Sequence, residues 1–128
     1  KKNQKNIFKN FYLNSQDIKL LIRLGMKIGG HSYNHKILSA LNYRQQLKNI
    51  KNPINFLSRI TQTNIKYFCL PYGGRKSFNK NTIKILKQCK IDLCFNVESK
   101  NWKKNTDKLL IPRFDCNEFA YGKVFKNK

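Results

Sequence analysis

Residues 25–35 of the chain read GMKIGGHSYNH, and this stretch indicates the fold most directly. The pattern predicts a short strand over residues 26–28, since Gly25 supplies a left-handed stop to a preceding helix. Gly29 and Gly30 then allow the backbone to turn tightly into HSYNH. We therefore expect HSYNH on a loop at the C-terminal end of a strand, where α/β sheets carry their functional sites.

The rest of the chain alternates between helical and extended patterns. Three helices are predicted: one with Ser15 as N-cap, one that starts after Asn42 and runs to about residue 60, and one capped near Asn79. The strand over 26–28 follows the first helix, a strand over 65–70 follows the second, and a strand over 91–97 follows the third. A polar loop over 98–108 and a short strand over 109–111 come last. Pro53 should kink the long helix or split it in two. The strand over 65–70 is mostly apolar, so we expect it to be largely buried on both faces.

This order of elements predicts the α/β class. Helices that alternate with strands are typical of parallel strands joined by crossover helices. Residues 1–10 are polar and basic and are interpreted as a tail or loop. No internal repeat or linker divides residues 1–128, so a single domain is expected.

The composition is strongly basic. Lysine and arginine number 27 against 6 acidic residues, and the formal net charge of +21 alone favours a polyanion partner. However, 22 of the 27 are lysines spread along the chain among many Asn and Ile residues, as AT-rich coding would produce, whereas nucleic-acid binders usually cluster their charge and use arginine. Nucleic acid is therefore not the expected partner, and a basic polyanion-binding module remains an alternative. No apolar run reaches the roughly 18 to 20 residues that cross a bilayer.

The four cysteines do not form a metal-thiolate motif, because no two of them lie at the spacing of zinc ribbons or redox motifs. Cys69 and Cys94 lie in apolar runs and are expected to be small buried hydrophobic residues. The sequence has no signal peptide and begins with Lys1 rather than Met, which suggests a fragment or a processed product. The localisation is left open between cytoplasm and cell envelope.

The residues with the clearest chemistry are His31 and His35, the only two histidines. Imidazoles four residues apart can converge on one divalent ion, as in other zinc-binding histidine pairs. The alternative is two ordinary surface histidines. Their position after a predicted strand favours a site, and a second strand end, CLPYGG at 69–74, offers another wall for it.

The segment GMKIGGHSYNHKILSALN, followed by FCLPYGG and then by LLIPRFD, resembles the NodB-homology polysaccharide deacetylases of carbohydrate esterase family 4. The resemblance implies a distorted (β/α) barrel that hydrolyses N-acetyl groups on an acetylated amino sugar or polysaccharide. It also implies that His31 and His35 bind a divalent metal, which is usually zinc in that family, with Ser32 supporting them inside the H-[ST]-x-x-H motif.

The resemblance assigns further residues to the groove. Pro71, Tyr72 and Gly73 correspond to a stretch that forms one side of it, and the Tyr72 backbone N–H is implied as an oxyanion donor. Tyr72, Tyr33 and Trp102 could each stack on a sugar ring, although packing roles remain open for them.

The sequence also departs from the family pattern. The T-F-D-D-G motif, which supplies the general base and the third metal ligand, is absent, so the chain would be a C-terminal portion of a partial barrel whose N-terminal portion supplies the aspartates. Cys69 replaces the arginine before the P-Y motif, and Arg113 could substitute for it. Asp115 could replace the late histidine that acts as general acid, or form a structural ion pair. A catalytically dead remnant or a split-gene partner is therefore an alternative.

Overall fold

A computed structural model of the chain describes residue 7, residues 11–115 and residues 118–119. The elements in this part are helix α1 (Ser15–Arg23), strand β1 (Gly29–Gly30), a 3₁₀ turn (Leu38–Ala40), helix α2 (Tyr43–Thr61), strand β2 (Tyr67–Cys69), helix α3 (Lys80–Gln88) and strand β3 (Leu93–Phe95). The predicted N-terminal tail, apart from Ile7, and Cys116 lie outside the described residues. Every helix in the described ranges is too short or too polar to cross a membrane.

The three strands form one parallel sheet in the order β1-β2-β3. An isolated parallel bridge between Phe95 and Ile111 continues the sheet beyond β3, where the sequence predicts the last strand. Each pair of neighbouring strands is joined through a helix, so the α/β prediction with crossover helices is confirmed.

Asparagine side chains begin the three helices. Asn42 and Asn79 cap α2 and α3 as predicted, and each forms a capping box with the third helical residue. The prediction of Ser15 as the cap of α1 is wrong by one residue, because the Asn14 side chain accepts the backbone N–H groups of Gln16 and Asp17. Pro53 lies inside α2, which continues as one helix. Of the two predicted outcomes, the split is therefore wrong, and the kink stays a prediction.

The first strand lies later in the chain than the sequence indicates. β1 is formed by Gly29 and Gly30, which pair with Tyr67 and Phe68, and not by residues 26–28. A Cβ at Gly30 would lie 2.9 Å from the Phe68 ring, so glycine allows close packing here rather than a turn. The turn follows at Ser32, which has a φ of 65°.

The core lies on one face of the sheet. Phe68 and Cys94 are paired neighbours in β2 and β3, and both are fully buried in a cluster that includes side chains of α2 and α3. The residues that flank them in the two strands, Tyr67, Cys69, Leu93 and Phe95, are only half-buried. The expectation that the second strand is buried on both faces is therefore wrong, because its alternate side chains point to a face that the described residues leave partly open.

Candidate active site

The candidate site lies at the carboxyl edge of the sheet. Because the strands are parallel, the segments that follow β1 and β2 leave the sheet at the same edge. His31 directly follows β1, and Tyr72 lies three residues beyond Cys69 at the end of β2. The fold therefore brings together the HSYNH loop and the LPYGG turn, which the sequence separates by more than thirty residues.

His31 is fixed to the neighbouring strand through its side chain. Its Nδ1 lies 3.0 Å from the main-chain carbonyl oxygen of Cys69. A carbonyl oxygen can only accept a hydrogen bond, so Nδ1 carries the proton and the neutral ring keeps its lone pair on Nε2. This is the arrangement in which metal-binding histidines are commonly held, with one nitrogen donating to a carbonyl and the other free to ligate.

His35 lies between His31 and Tyr72. Its ring centroid is 4.8 Å from that of His31 and 4.8 Å from that of Tyr72. The backbone N–H of His35 donates to Ser32 Oγ at 3.1 Å, and both residues have a positive φ, 54° and 65° respectively. The Ser32 hydroxyl thus closes the tight loop that returns His35 beside His31.

The turn after β2 places a backbone donor beside the imidazoles. Tyr72 has a φ of 60°, its side chain is 56% exposed, and its N–H donates to no acceptor among the described residues. Gly73 follows in the left-handed region at a φ of 62°, and its carbonyl accepts the Val97 N–H. Pro71 and Gly73 are both buried, so the turn is packed while the Tyr72 ring stays accessible.

The remaining predicted residues lie elsewhere. Trp102 is 56% exposed in the loop after β3, and no ring contact joins it to His31, His35 or Tyr72 in the described part of the chain. Arg113 donates from Nε to the main-chain oxygen of Asn96 at 3.0 Å. Asp115 lines a separate small cavity of about 280 Å³ with Arg113 and Glu118, whose Oε1 accepts the Asp115 N–H. Their catalytic roles stay predictions.

The strongest electrostatic feature is an ion-pair cluster beyond the end of β3. Glu98 accepts a 2.7 Å hydrogen bond from Arg75 Nε and pairs with Lys100 through its other oxygen. The hydrogen bond from Arg75, followed by that from Lys100, lowers the pKa of Glu98 from 4.5 to about 2. The Arg75 side chain therefore joins the segment that follows the LPYGG turn to the loop after β3.

No cysteine thiol of the described residues joins the histidine pair to form a possible metal group. Cys94 is fully buried, and burial raises the pKa of its thiol to about 12, so the prediction of a small buried hydrophobic residue is confirmed for it. Cys69 is only half-buried and contributes its main-chain carbonyl to His31.

The ring nitrogens of His31 and His35 are the atoms of this site that could bind a divalent cation. Two neutral imidazoles are suitable ligands, and the hydrogen bond from His31 Nδ1 leaves Nε2 available. Among residues 11–115, 118 and 119, however, no third His, Cys, Asp or Glu joins them to form a possible metal group. The chain thus fits part of a metal site, in agreement with the absence of the aspartate motif.

The sequence did not indicate two features of this region. One is the Cys69 carbonyl, because a main-chain acceptor has no residue signature. The other is a set of exposed α2 side chains next to Ser32 and Tyr33, which line a cleft with them. The only sequence signal for that set is helical spacing, since Asn52, Asn55 and Arg59 recur at three and four residues.

The parallel α/β sheet carries an imidazole pair and the LPYGG turn at its carboxyl edge, which is where proteins of this class place their functional sites. The family model described as polysaccharide deacetylase matches residues 3–94. The chain therefore belongs to the polysaccharide deacetylase family, which confirms the resemblance.

Relatives agree with this assignment. The chain is 24% identical over 94 residues to the peptidoglycan-N-acetylmuramic acid deacetylase PdaC of Bacillus subtilis (strain 168), a match that covers 73% of this chain and 19% of PdaC. Among solved structures, the Streptococcus pyogenes deacetylase PplD in complex with acetate matches with a TM-score of 0.74 and 20% identity, over 80% of this chain and 44% of PplD.

A further solved structure is BA3943 of Bacillus anthracis, described as a pseudoenzyme of carbohydrate esterase family 4. It matches with a TM-score of 0.57 and 18% identity, over 63% of this chain and 28% of that protein. The fold is therefore that of the esterase family, and the partial α/β barrel prediction is confirmed. The chain spans about a fifth of the length of PdaC and under half that of PplD.

Proposed function

We propose that this chain supplies two metal-ligating histidines and an oxyanion donor to a metal-dependent carbohydrate N-deacetylase. The observation that supports the proposal is that three rings lie in contact at the carboxyl edge of the sheet. The ring centroid of His35 is 4.8 Å from that of His31 and 4.8 Å from that of Tyr72. The substrate class is an acetylated amino sugar within a polysaccharide. Family membership supports this substrate, as does the similarity to PdaC, a peptidoglycan-N-acetylmuramic acid deacetylase, and to the deacetylase PplD.

His31 and His35 would hold a divalent cation, with zinc as the best match to two imidazoles. When bound, such a cation supplies Lewis-acid polarisation of the acetamide carbonyl and lowers the pKa of a water molecule. The hydrogen bond from His31 Nδ1 to the Cys69 carbonyl favours the tautomer in which Nε2 is unprotonated and free to bind the cation. Ser32 restricts the backbone of His35 through its 3.1 Å hydrogen bond.

Tyr72 would stabilise negative charge on the acetamide oxygen. Its backbone N–H has no acceptor among the described residues, and it lies on a turn held by the buried Pro71 and Gly73. A fixed donor of this kind stabilises an oxyanion at little reorganisation cost. Its exposed ring, beside His35, could contact one face of the sugar.

Proton transfer requires a carboxylate beside the histidine pair. Among the described residues, no Asp or Glu joins His31 and His35 in this way. We propose that a polypeptide portion outside this sequence supplies it, together with the third metal ligand. The second candidate function is an inactive remnant of the family, and the same missing ligand favours it. The fold similarity to the BA3943 pseudoenzyme is compatible with that alternative.

Zinc titration of the chain by calorimetry tests the proposal. We expect one zinc ion per chain, with affinity lowered more than about tenfold in His31→Ala and in His35→Ala. Lys36→Ala, an exposed neighbour of the pair, is the matched control and should bind zinc as the unmodified chain does. Zinc binding that is absent, or equal in His31→Ala and Lys36→Ala, would favour the inactive remnant.

A further inference from the structure

A cleft of about 960 Å³ opens between the HSYNH loop and the exposed side of α2. Its lining includes Ser32, Tyr33, Asn52, Asn55, Phe56 and Arg59, and we call it the α2 cleft. Ser32 belongs both to this lining and to the loop that holds His35. The cleft therefore starts directly beside the histidine pair, and its volume is in the range of sites for small organic ligands.

Two aromatic rings in the α2 cleft are accessible. Tyr33 is 76% exposed and Phe56 is 52% exposed, so neither ring is used mainly for packing. Exposed rings on opposite walls of a cleft provide flat apolar surfaces against which the C–H faces of a sugar can lie. The packing alternative for Tyr33 is therefore not favoured.

The polar groups of the α2 cleft match a substituted sugar. Asn52 and Asn55 each offer an amide donor and acceptor, as hydroxyl and acetamido groups require. Arg59 has a guanidinium that forms no ion pair within the described residues.

The charge around the α2 cleft favours an anion. Lys48 and Lys51 are exposed on α2, and their spacing places them on the same side of the helix as Arg59. Positive charges that line the approach to Arg59 attract an anionic polymer and orient it along the helix. Arginine in the cleft itself is the group that recognises a carboxylate through two parallel hydrogen bonds.

We propose that the α2 cleft binds an acidic saccharide unit of the polysaccharide, one that carries a carboxylate on or beside the ring, with Arg59 pairing with that carboxylate. This inference rests on the proposed function, because it assigns the substrate class of the same site. The aromatic rings add flat apolar contact area, which a sugar ring can use and a polyanion without rings cannot.

Calorimetry with two tetrasaccharides on the full chain tests the inference. The acidic probe alternates N-acetylglucosamine and N-acetylmuramic acid, and the neutral probe contains N-acetylglucosamine alone. We expect Arg59→Gln to weaken binding of the acidic probe about tenfold, as loss of a charge-assisted pair predicts. Binding of the neutral probe should change by less than about twofold.

Two further variants separate charge from shape. Arg44→Gln removes an arginine from the same helix but outside the cleft, and it should change binding of either probe by less than about twofold. Phe56→Ala should lower the affinity for both probes, because stacking of a sugar on the Phe56 ring does not depend on the carboxylate. Equal affinity of the unmodified chain for the two probes, equal effects of Arg59→Gln and Arg44→Gln, or no binding of either probe would overturn the inference.

A single-stranded DNA oligonucleotide of equal net charge is the control for general polyanion binding. DNA that binds more tightly than the acidic probe, with Arg59→Gln and Arg44→Gln equally impaired, would also overturn the inference. Zinc titration of Arg59→Gln keeps the two proposals separate, because that variant should bind zinc normally. If the unmodified chain does not bind zinc, only the proposed function is refuted. If Arg59→Gln does not change the affinity for the acidic probe, only the acidic-saccharide site is refuted.

Discussion

The Nδ1 atom of His31 lies 3.0 Å from the main-chain carbonyl oxygen of Cys69. This hydrogen bond joins the loop after β1 to the last residue of β2, so the position of the first histidine depends on the register of the parallel pair. Because a carbonyl has no proton to give, the bond also determines which nitrogen of His31 is free. One main-chain contact thus fixes both the place and the tautomer of a proposed ligand.

The neutral form of His31 should therefore be the Nδ1–H tautomer. Long-range ¹H–¹⁵N NMR at mildly alkaline pH, where imidazole is neutral, distinguishes the two nitrogens directly. We expect a protonated-type shift for Nδ1 and an unprotonated-type shift for Nε2, and zinc should move mainly the Nε2 signal. A spectrum of the Nε2–H tautomer would contradict the hydrogen bond to Cys69 and the ligand role built on it.

Sequence reasoning predicted the parts of the site that depend on residue identity. His31, His35 and Tyr72 are recognisable because their side-chain types and spacing form a motif, and the structure brings them together. The Cys69 carbonyl was not predictable, since any residue at that position offers the same acceptor. The α2 cleft was not predictable either, because it depends on how close α2 lies to the HSYNH loop.

The fold was predictable at the level of order and class, and less so at boundaries. Asn42 and Asn79 are strong caps, so the starts of α2 and α3 follow from the sequence. Glycine usually interrupts strands, so the pattern placed the turn at Gly29 and Gly30. The structure instead uses those glycines where the first strand must approach Phe68 closely, a requirement of tertiary packing that local sequence does not show.

The buried pair Gln46 and Thr82 should contribute to the stability of the α2–α3 contact. Thr82 Oγ1 donates to Gln46 Oε1 at 2.7 Å, and both residues are fully buried. Thr82→Val leaves the Gln46 oxygen without that donor and the Asn79 N–H without its capping acceptor. We therefore expect the free energy of unfolding to fall by about 1–3 kcal/mol. Urea denaturation measures the change.

Two variants control for the volume and the polarity of that site. Thr82→Ser keeps the hydroxyl and should cost about 0.8 kcal/mol, the value of one buried methylene-sized group. The double variant Gln46→Leu/Thr82→Val removes both polar partners and should recover part of the loss. A Thr82→Val cost equal to that of Thr82→Ser would show that the hydrogen bond does not stabilise the contact.

The turn that carries Tyr72 should tolerate no side chain at Gly73. This residue has a φ of 62°, and a Cβ there would lie 2.8 Å from Val97 Cγ1 and 2.9 Å from the Val97 backbone nitrogen. Gly25 is the matched control, since its φ is 85° but a Cβ would meet nothing within 4 Å. Gly25→Ala should cost about 1–2 kcal/mol from the left-handed backbone alone.

Gly73→Ala should cost a further 1–3 kcal/mol, about the range for overpacking, because the backbone of Val97 cannot move aside as a flexible side chain can. Thermal unfolding of the two variants gives the comparison. Equal destabilisation by the two substitutions would mean that the contact between Gly73 and Val97, in the loop after β3, is loose. In that case the proposed oxyanion donor would not be held rigidly.

Glu98 should make the loop after β3 sensitive to acid. Its pKa falls from 4.5 to about 2, mainly through the hydrogen bond from Arg75 and next through that from Lys100. A carboxyl whose folded-state pKa is lowered stabilises the protein fully above its unfolded-state pKa, and this contribution is lost as the pH falls through the folded-state pKa. The difference in free energy of unfolding between the unmodified chain and Glu98→Gln should therefore decline from about pH 4.5 to about pH 2.

NMR titration of the Glu98 carboxyl identifies which cation causes the shift. Arg75→Gln should raise the pKa of Glu98 more than Lys100→Gln does, because Arg75 makes the larger contribution. Lys76→Gln removes an equal charge next to Arg75, from a side chain that forms no ion pair among the described residues, and should leave the titration nearly unchanged. If all three substitutions moved the titration equally, general positive charge would account for the shift. The specific pairing with Arg75 would then be refuted, since long-range effects of exposed charges are screened by salt while a direct hydrogen bond persists.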